Sequence, residues 1–244
     1  MLRARAIVVV PAVVAIASCA ARYTVEPGDA GATVDAQAPT PDADAGTAKD
    51  ADVADAAGDE RAAPDASPLE GVCGSDCHVV FVSSKTYAGV AVGGIAGADA
   101  KCQALAAASR SAAIQARAAR FAAWISTGNA NSPGMTTRLP AAGRFRRVDG
   151  ATIADSVPEL LSGNIRVTVN LDENGEAIQT GGLQGASWTG TEGNGKTSGA
   201  TCADWSGAGV QGDIGRATST DSTWTNYAAV DCTLAKHLYC FDRF

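Results

Sequence analysis

"GGIAGADAKCQALAAAS", residues 93–109, is the stretch on which the reading of the fold turns. Paired glycines open it and an alanine-rich run follows, the composition of a helix that starts abruptly after a turn. Ala100, Cys102, Leu105 and Ala106 fall near one helical face, and Asp99 lies in the first turn, where a carboxylate suits the helix dipole. A cysteine on the apolar face of a helix is placed for packing or for a bridge.

Working outward toward the start of the chain, Arg3 and Arg5 precede an apolar stretch, Ala6 to Ala17, interrupted by Pro11. At about 12 residues it is too short to span a bilayer and reads as a signal peptide, residues 1–18. Ile16-Ala17-Ser18-Cys19 resembles the lipobox of bacterial lipoproteins, which implies that Cys19 is lipidated and becomes the mature N-terminus. Each buried methylene of an acyl chain contributes about 0.8 kcal/mol to anchoring. The alternative is an ordinary cleaved signal with a chance cysteine.

Residues 19–71 are Ala, Asp, Pro and Gly with almost no large apolar side chain. Such a segment cannot bury enough surface to offset the entropy of ordering, so it is expected to be a disordered acidic tether. As a coil of about 50 residues it would reach on the order of 40 Å. Residues 20–71 hold 12 acidic residues against 3 basic ones, so the chain's net charge of −7 leaves residues 72–244 neutral. A neutral domain lacks the basic stripe that collects phosphates, which argues against a nucleic-acid partner.

Residues 72–244 are ample for one core. "VVFVSS" (79–84) alternates as a strand. "IQARAARFAAWIS" (114–126) reads as a second helix with Phe121, Trp124 and Ile125 on one face. "SVPELLSGN" (156–164) reads as a short third helix. From Ile165 onward, glycines, hydroxyl residues and spaced aromatics suggest short strands in long loops, ending in the strand "HLYCFDRF" (237–244). The pattern is that of an α+β domain. Six cysteines follow Cys19, and an even number in an exported chain implies disulfides whose pairing spacing alone does not fix.

Six pieces in order carry a resemblance: "GGIAGADAKCQALA", "RFAAWIST", "FRRVDGATIA", "ELLSG", "SWTGTEGNGKTSGATCADW" and "VDCTLAKHLYCFDRF". Over roughly residues 79–244 they resemble the endostatin-like domain at the end of certain collagens. That is a C-type-lectin-like fold, similar to a domain of unknown function in bacterial lipoproteins. The resemblance implies two to three helices packed on irregular antiparallel strands with long loops. It also implies nested bridges, Cys102 to Cys240 and Cys202 to Cys232, the outer one closing a loop worth about 4–5 kcal/mol in the chain-entropy model.

At the start of the domain, "GVCGSDCHVVFVSS" (71–84) clusters Cys73, Cys77 and His78. Its spacing is wrong for the C-x-x-C-H of haem attachment, and zinc would need two further ligands. A small Cys73–Cys77 loop at the junction of tether and domain is the expectation, the alternative being a free or intermolecular thiol.

Chemistry is harder to find. The chain has two histidines, His78 and His237, and no G-x-S-x-G elbow. His237 is expected to pack in the last strand. Asp155 and Glu159 share i,i+4 spacing, more simply a solvated face than an acid/base pair. "NLDENGEAIQTGG" (170–182) imitates the start of a calcium loop, but the twelfth position is Gly181, not Glu. A hairpin turn at Asn174-Gly175 between "IRVTVNL" and "EAIQT" is the plainer reading. The Glu-Pro-Asn and Trp-Asn-Asp triplets of sugar-binding C-type lectins are absent. No catalytic residue, metal site or cofactor is assigned.

What remains is a recognition or adhesion domain with a glycan, matrix or protein ligand, held at the cell envelope by a lipid, at the outer membrane or cell surface. Trp188, Trp205 and Trp224 in the loop region are the aromatic candidates for contact. A basic knot of Arg138, Arg144, Arg146 and Arg147 is a candidate for an acidic ligand or, alternatively, a charge-protected sheet edge. An envelope enzyme such as a carboxylate-based hydrolase, and a purely structural envelope protein, are the competing classes.

Overall fold

A computed structural model describes residues 76–128, 134–207 and 210–243. The expected signal peptide, Cys19, the expected tether and Cys73 lie outside the described residues. Among the described residues no helix is long and apolar enough to cross a membrane.

Nine strands form a mixed sheet flanked by few helices, an α+β architecture. The strands are β1 (Cys77–Val82), β2 (Tyr87–Ala88), β3 (Phe121–Ala123), β4 (Arg144–Arg147) and β5 (Thr152–Ala154), then β6 (Ala186–Trp188), β7 (Gln211–Arg216), β8 (Ala228–Asp231) and β9 (Ala235–Asp242). The path runs β5-β4-β1-β9-β6-β7-β8, with β2 and β3 also paired to β9. The expectation of antiparallel strands needs correcting at two places, since β1 pairs β4 and β6 pairs β9 in parallel. The first and last strands meet antiparallel at the centre, Phe81 opposite Cys240.

Helix α1 (Gly94–Ala107) begins after Gly93, whose φ of 83° is a left-handed conformation open to glycine at no cost. Its buried side is Ala98, Asp99, Cys102, Leu105 and Ala106. Ala100, assigned to that side from the sequence, is exposed: it lies two residues from Cys102, about 200° around the helix. Asp99 does not serve the helix dipole. It accepts a hydrogen bond from the Ala123 N–H at 2.9 Å and pairs with Arg138, which also donates to the Ala123 and Ile125 carbonyls at 3.0 and 2.9 Å. Arg138 is therefore a buried strut between α1 and β3, not part of a surface knot. Burial pushes its pKa down, and Asp99 opposes that shift.

The predicted second helix is mostly something else. Helix α2 (Ala112–Gln115) is one turn, and "FAA" pairs with β9 as a strand, Phe121 opposite Asp242 and Ala123 opposite Cys240. Residues 121–127 are all buried, so the strand is apolar on both faces, and a continuous apolar run cannot be told from a buried helix by periodicity. The third helix, α3 (Val157–Leu160), forms as expected. The Ser156 hydroxyl caps it by accepting from the Glu159 N–H at 3.2 Å, and Glu159 reaches back to the Asp155 N–H at 2.8 Å.

Alternation along the central strands divides the core. Val79, Phe81, Leu238 and Cys240 point to the α1 side, joined by Cys102, Trp188 and Trp205. Val80, Val82, Tyr239 and Phe241 point to the other side, joined by Trp124, Phe145 and Trp224. Both expected bridges lie on the first side: Cys102–Cys240, with Cα atoms 5.5 Å apart, and Cys202–Cys232, at 5.6 Å. Packing around the inner bridge is close enough to demand glycine. A Cβ added at Gly89 or Gly212 would come within 2.6 or 2.5 Å of Cys202 Sγ.

Cys202 to Trp205 form a left-handed helical turn, with φ between 49° and 61° at four successive non-glycine residues. Each such residue costs on the order of 1–2 kcal/mol. The turn persists because the bridge fixes its first residue and Trp205 is buried, its indole donating to the Ser126 carbonyl at 2.7 Å. Asp204 adds a bond from the Gly128 N–H at 2.6 Å.

Candidate functional site

A cleft of about 430 Å³ opens beside the beginning of β9. Ala235 and His237 of β9 form one wall, Ser84 and Thr86 from the loop after β1 a second, and Asp172 with Ile178, Gln179 and Gln184 a third. The parts come from three distant segments, brought together by the tertiary fold.

The third wall is built on the turn predicted at Asn174-Gly175. Asp172 Oδ1 accepts from the N–H groups of Asn174 and Glu176 at 2.8 and 2.9 Å, and Gly175 adopts a φ of 80°. The turn closes only one isolated bridge, Leu171 to Ala177, not the pair of strands expected. Glu173 ties this turn to the loop after β1: its carboxylate accepts the Ser84 N–H at 3.0 Å and the Ser84 hydroxyl, and its carbonyl accepts the Ser109 hydroxyl. Asn170 accepts from Arg147 at 2.7 Å, and Asn174 from the Arg110 N–H at 2.9 Å. The side chains that imitate a calcium loop are thus spent on internal bonds. Among the described residues no group of three His, Cys, Asp or Glu is placed to hold a metal ion.

His237 is buried, with Nδ1 2.6 Å from the Ser83 carbonyl. Burial pushes its pKa below the usual imidazole value and outweighs the backbone bonds with Ser83 and Gln184, which act the other way; the Lys236 cation adds to the lowering. At neutral pH the ring is uncharged. Ser84 gives its hydroxyl hydrogen to Glu173 and not to His237, so the cleft holds no nucleophile–base pair of the serine-hydrolase kind. It presents hydroxyls, two carboxamides, one carboxylate and a neutral imidazole, interspersed with the apolar Ala177, Ile178 and Ala235.

The residues singled out from the sequence lie elsewhere. Trp188 and Trp205 are 0% exposed and Trp224 1%, which corrects their assignment as contact residues. Each belongs to the core: Trp188 donates to the Tyr87 carbonyl at 2.8 Å, Trp205 stacks obliquely on Trp188 at 5.6 Å, and Trp224 lies 4.9 Å from Trp124. The arginines do not converge on one open face. Arg147 pairs with Asp149 through two bonds of 3.0 and 2.6 Å, Arg146 bonds Thr152 and approaches Asp155 at 3.6 Å, and Arg144 is exposed on β4. Asp155 and Glu159 both bind Arg166, at 2.7 and 2.6 Å, in a partly exposed ion network. Cys77 is disulfide-bonded, while its expected partner Cys73 lies outside the described residues. His78 packs on Phe145 with its Nε2 3.1 Å from the Ala142 carbonyl.

Nothing in the sequence marked Thr86, Gln179 or Gln184. The only local signal is the irregular "IQTGGLQG" (178–185), a polar, glycine-punctuated run with no strand or helix pattern. No protein-family model matches the chain, and no curated protein matches it.

Proposed function

We propose that the chain is an exported bacterial lipoprotein, anchored through Cys19, whose acidic tether carries a non-catalytic recognition domain of the endostatin-like, C-type-lectin-like type. The antiparallel meeting of first and last strands and the nested bridges support the fold reading. The lipobox-like Ile16-Ala17-Ser18-Cys19 supports the anchor.

The observation that carries the recognition reading is the cleft beside His237. Its hydroxyl and carboxamide groups both donate and accept, and its apolar lining residues suit the face of an uncharged, hydroxyl-rich ring. An envelope glycan is the ligand class that fits this wall. A hydrolase reading would rest on Asp172 and His237 in the same cleft, but the Asp172 carboxylate already holds two backbone N–H groups.

The test is a glycan and envelope-protein binding screen with the full chain, alongside Gln179→Ala/Gln184→Ala. Glycan binding lost in the double variant is the expected result. Binding that is absent from every glycan, or unchanged in the variant, overturns the assignment. Palmitate incorporation compared with Cys19→Ala tests the anchor separately.

A further inference from the structure

The two ends of the sheet are finished differently. Edge strand β5 is covered: the Arg166 N–H bonds the Ile153 carbonyl at 2.9 Å, and Arg146, Asp155, Glu159 and Arg166 surround it with charge. Charge and a covering loop are the usual protection of an edge. Edge strand β8, "AAVD", has β7 on one side and no strand on the other among the described residues. It carries no Lys, Pro or bulge. Ala228 and Val230 pack toward the core, whereas Ala229 and Asp231 are exposed, and Tyr227, just before the strand, is 41% exposed.

Charge is distributed along this edge in a way that fits the edge itself. At one end the Arg216 guanidinium lies 4.8 Å from the centre of the Tyr227 ring, with Asp221 a carboxylate that its charge acts on. At the other, Asp231 accepts from the Thr233 N–H and hydroxyl at 2.8 and 2.7 Å, bonds that hold its carboxyl below the usual range and keep it ionised.

We propose that β8 is a self-pairing edge, at which a second copy of this chain adds its own β8 antiparallel about a two-fold axis through Ala229. Antiparallel partners opposite one another point to the same face. With Ala229 opposite Ala229 of the second copy, Tyr227 and its Arg216 stand opposite Asp231, and Asp231 opposite Tyr227 and Arg216. Both ends gain an opposite charge, and the small Ala229 side chain admits close approach at the axis. The interface is isologous, so it closes at two copies and does not propagate. Four residues make a short seam and hence a weak one in dilute solution. On the lipid-anchored reading given above, confinement to one surface raises the effective concentration toward about millimolar.

Cysteine cross-linking of the full chain, held at about millimolar concentration in excess detergent, tests this directly and without relying on the anchor. Opposed residues in an antiparallel pair have Cα atoms about 4.5–5.5 Å apart, within the roughly 4.4–6.8 Å that a disulfide spans. Ala229→Cys is expected to form an intermolecular disulfide at least about tenfold faster than the exposed control Ala119→Cys. Adding Asp231→Arg to Ala229→Cys slows it toward the control, and adding Arg216→Asp as well restores it. Thermal melts of each variant confirm that it folds. Cross-linking of Ala229→Cys no faster than the control, or a double reversal that fails to restore it in folded protein, overturns the proposal. Sedimentation equilibrium of the unaltered chain gives a second readout: a single species of monomer mass at all concentrations, up to about millimolar, has the same consequence.

Discussion

The two faces of the central sheet are closed by different means. On the α1 side the core mixes small residues, Ala98, Ala106, Ala123 and Cys102, with the ring pairs Phe81–Phe121 and Trp188–Trp205, and both described bridges cross it. On the other side there is no bridge among the described residues. Instead, Trp124, Trp224, Phe241 and Phe145 pack in tilted contacts with ring centres 4.9–6.4 Å apart, and the Tyr239 hydroxyl donates to the Trp224 carbonyl at 3.0 Å. Where α1 and β3 contribute alanines to the α1-side core, each side chain buries little area, and there a covalent link adds more than packing does. Large rings supply area and geometry without one. The comparison explains why cysteines and aromatics of β9 alternate: Tyr239 and Phe241 serve one face, Cys240 the other.

Three measurements put that contrast at risk. The largest effect belongs to the bridged face. Cys102→Ala/Cys240→Ala, which opens a crosslink between residues 138 apart in sequence, is expected to lower unfolding stability by about 5 kcal/mol in urea titrations. A loss below about 1 kcal/mol would mean that packing, not the link, holds that face. Next comes Trp224→Ala, a fully buried ring on the unbridged face, for which about 4 kcal/mol is expected and should be unaffected by prior reduction of the chain's disulfides in any variant that stays folded. Strong coupling between the two would deny that the faces are held independently.

The smallest effect is a pH dependence at the junction of β9 and the cleft. The folded pKa of His237 is depressed, so as pH falls below about 6.5 the unfolded chain takes up the proton first. Stability is complete above that value, declines as pH falls, and levels off beneath the folded pKa. Lys236 and Glu173 are the charged groups acting on the ring. The depressed carboxyls, Asp149, Glu159, Asp221 and Asp231, lose their contributions only below about pH 4, a separate window. Thermal melts between about pH 8 and 5 should therefore slope in the parent chain and flatten in His237→Gln. Equal slopes would assign the effect to other groups.

Legibility followed locality. Helix α1, the short helix α3, the turn at Asn174-Gly175 and the last strand were readable because each is decided by neighbours within a few residues. The helix expected over 114–126 failed where that ceases to hold. Phe121 to Ala123 become a strand because β9, more than 110 residues away, offers unpaired backbone on its flank. The tryptophans failed for the same reason: whether an indole faces water depends on what packs over it, and Trp188 and Trp205 are covered by parts of the chain far from them. The cleft was invisible, since its walls lie near residues 84, 178 and 237 and none carries a motif.

By itself, then, the amino-acid order determined an exported-looking start, an acidic low-complexity segment, a neutral α+β domain and, through a resemblance, two nested bridges. Those are properties of composition, local backbone preference and pattern. Only the tertiary structure decided which aromatics are core, that Arg138 is a buried strut to Asp99, where a polar cleft opens, and that one sheet edge is covered while β8 has no outer neighbour strand among the described residues. Each of these is set by contacts between residues distant in sequence, where the free energy of burial and pairing outweighs local propensity.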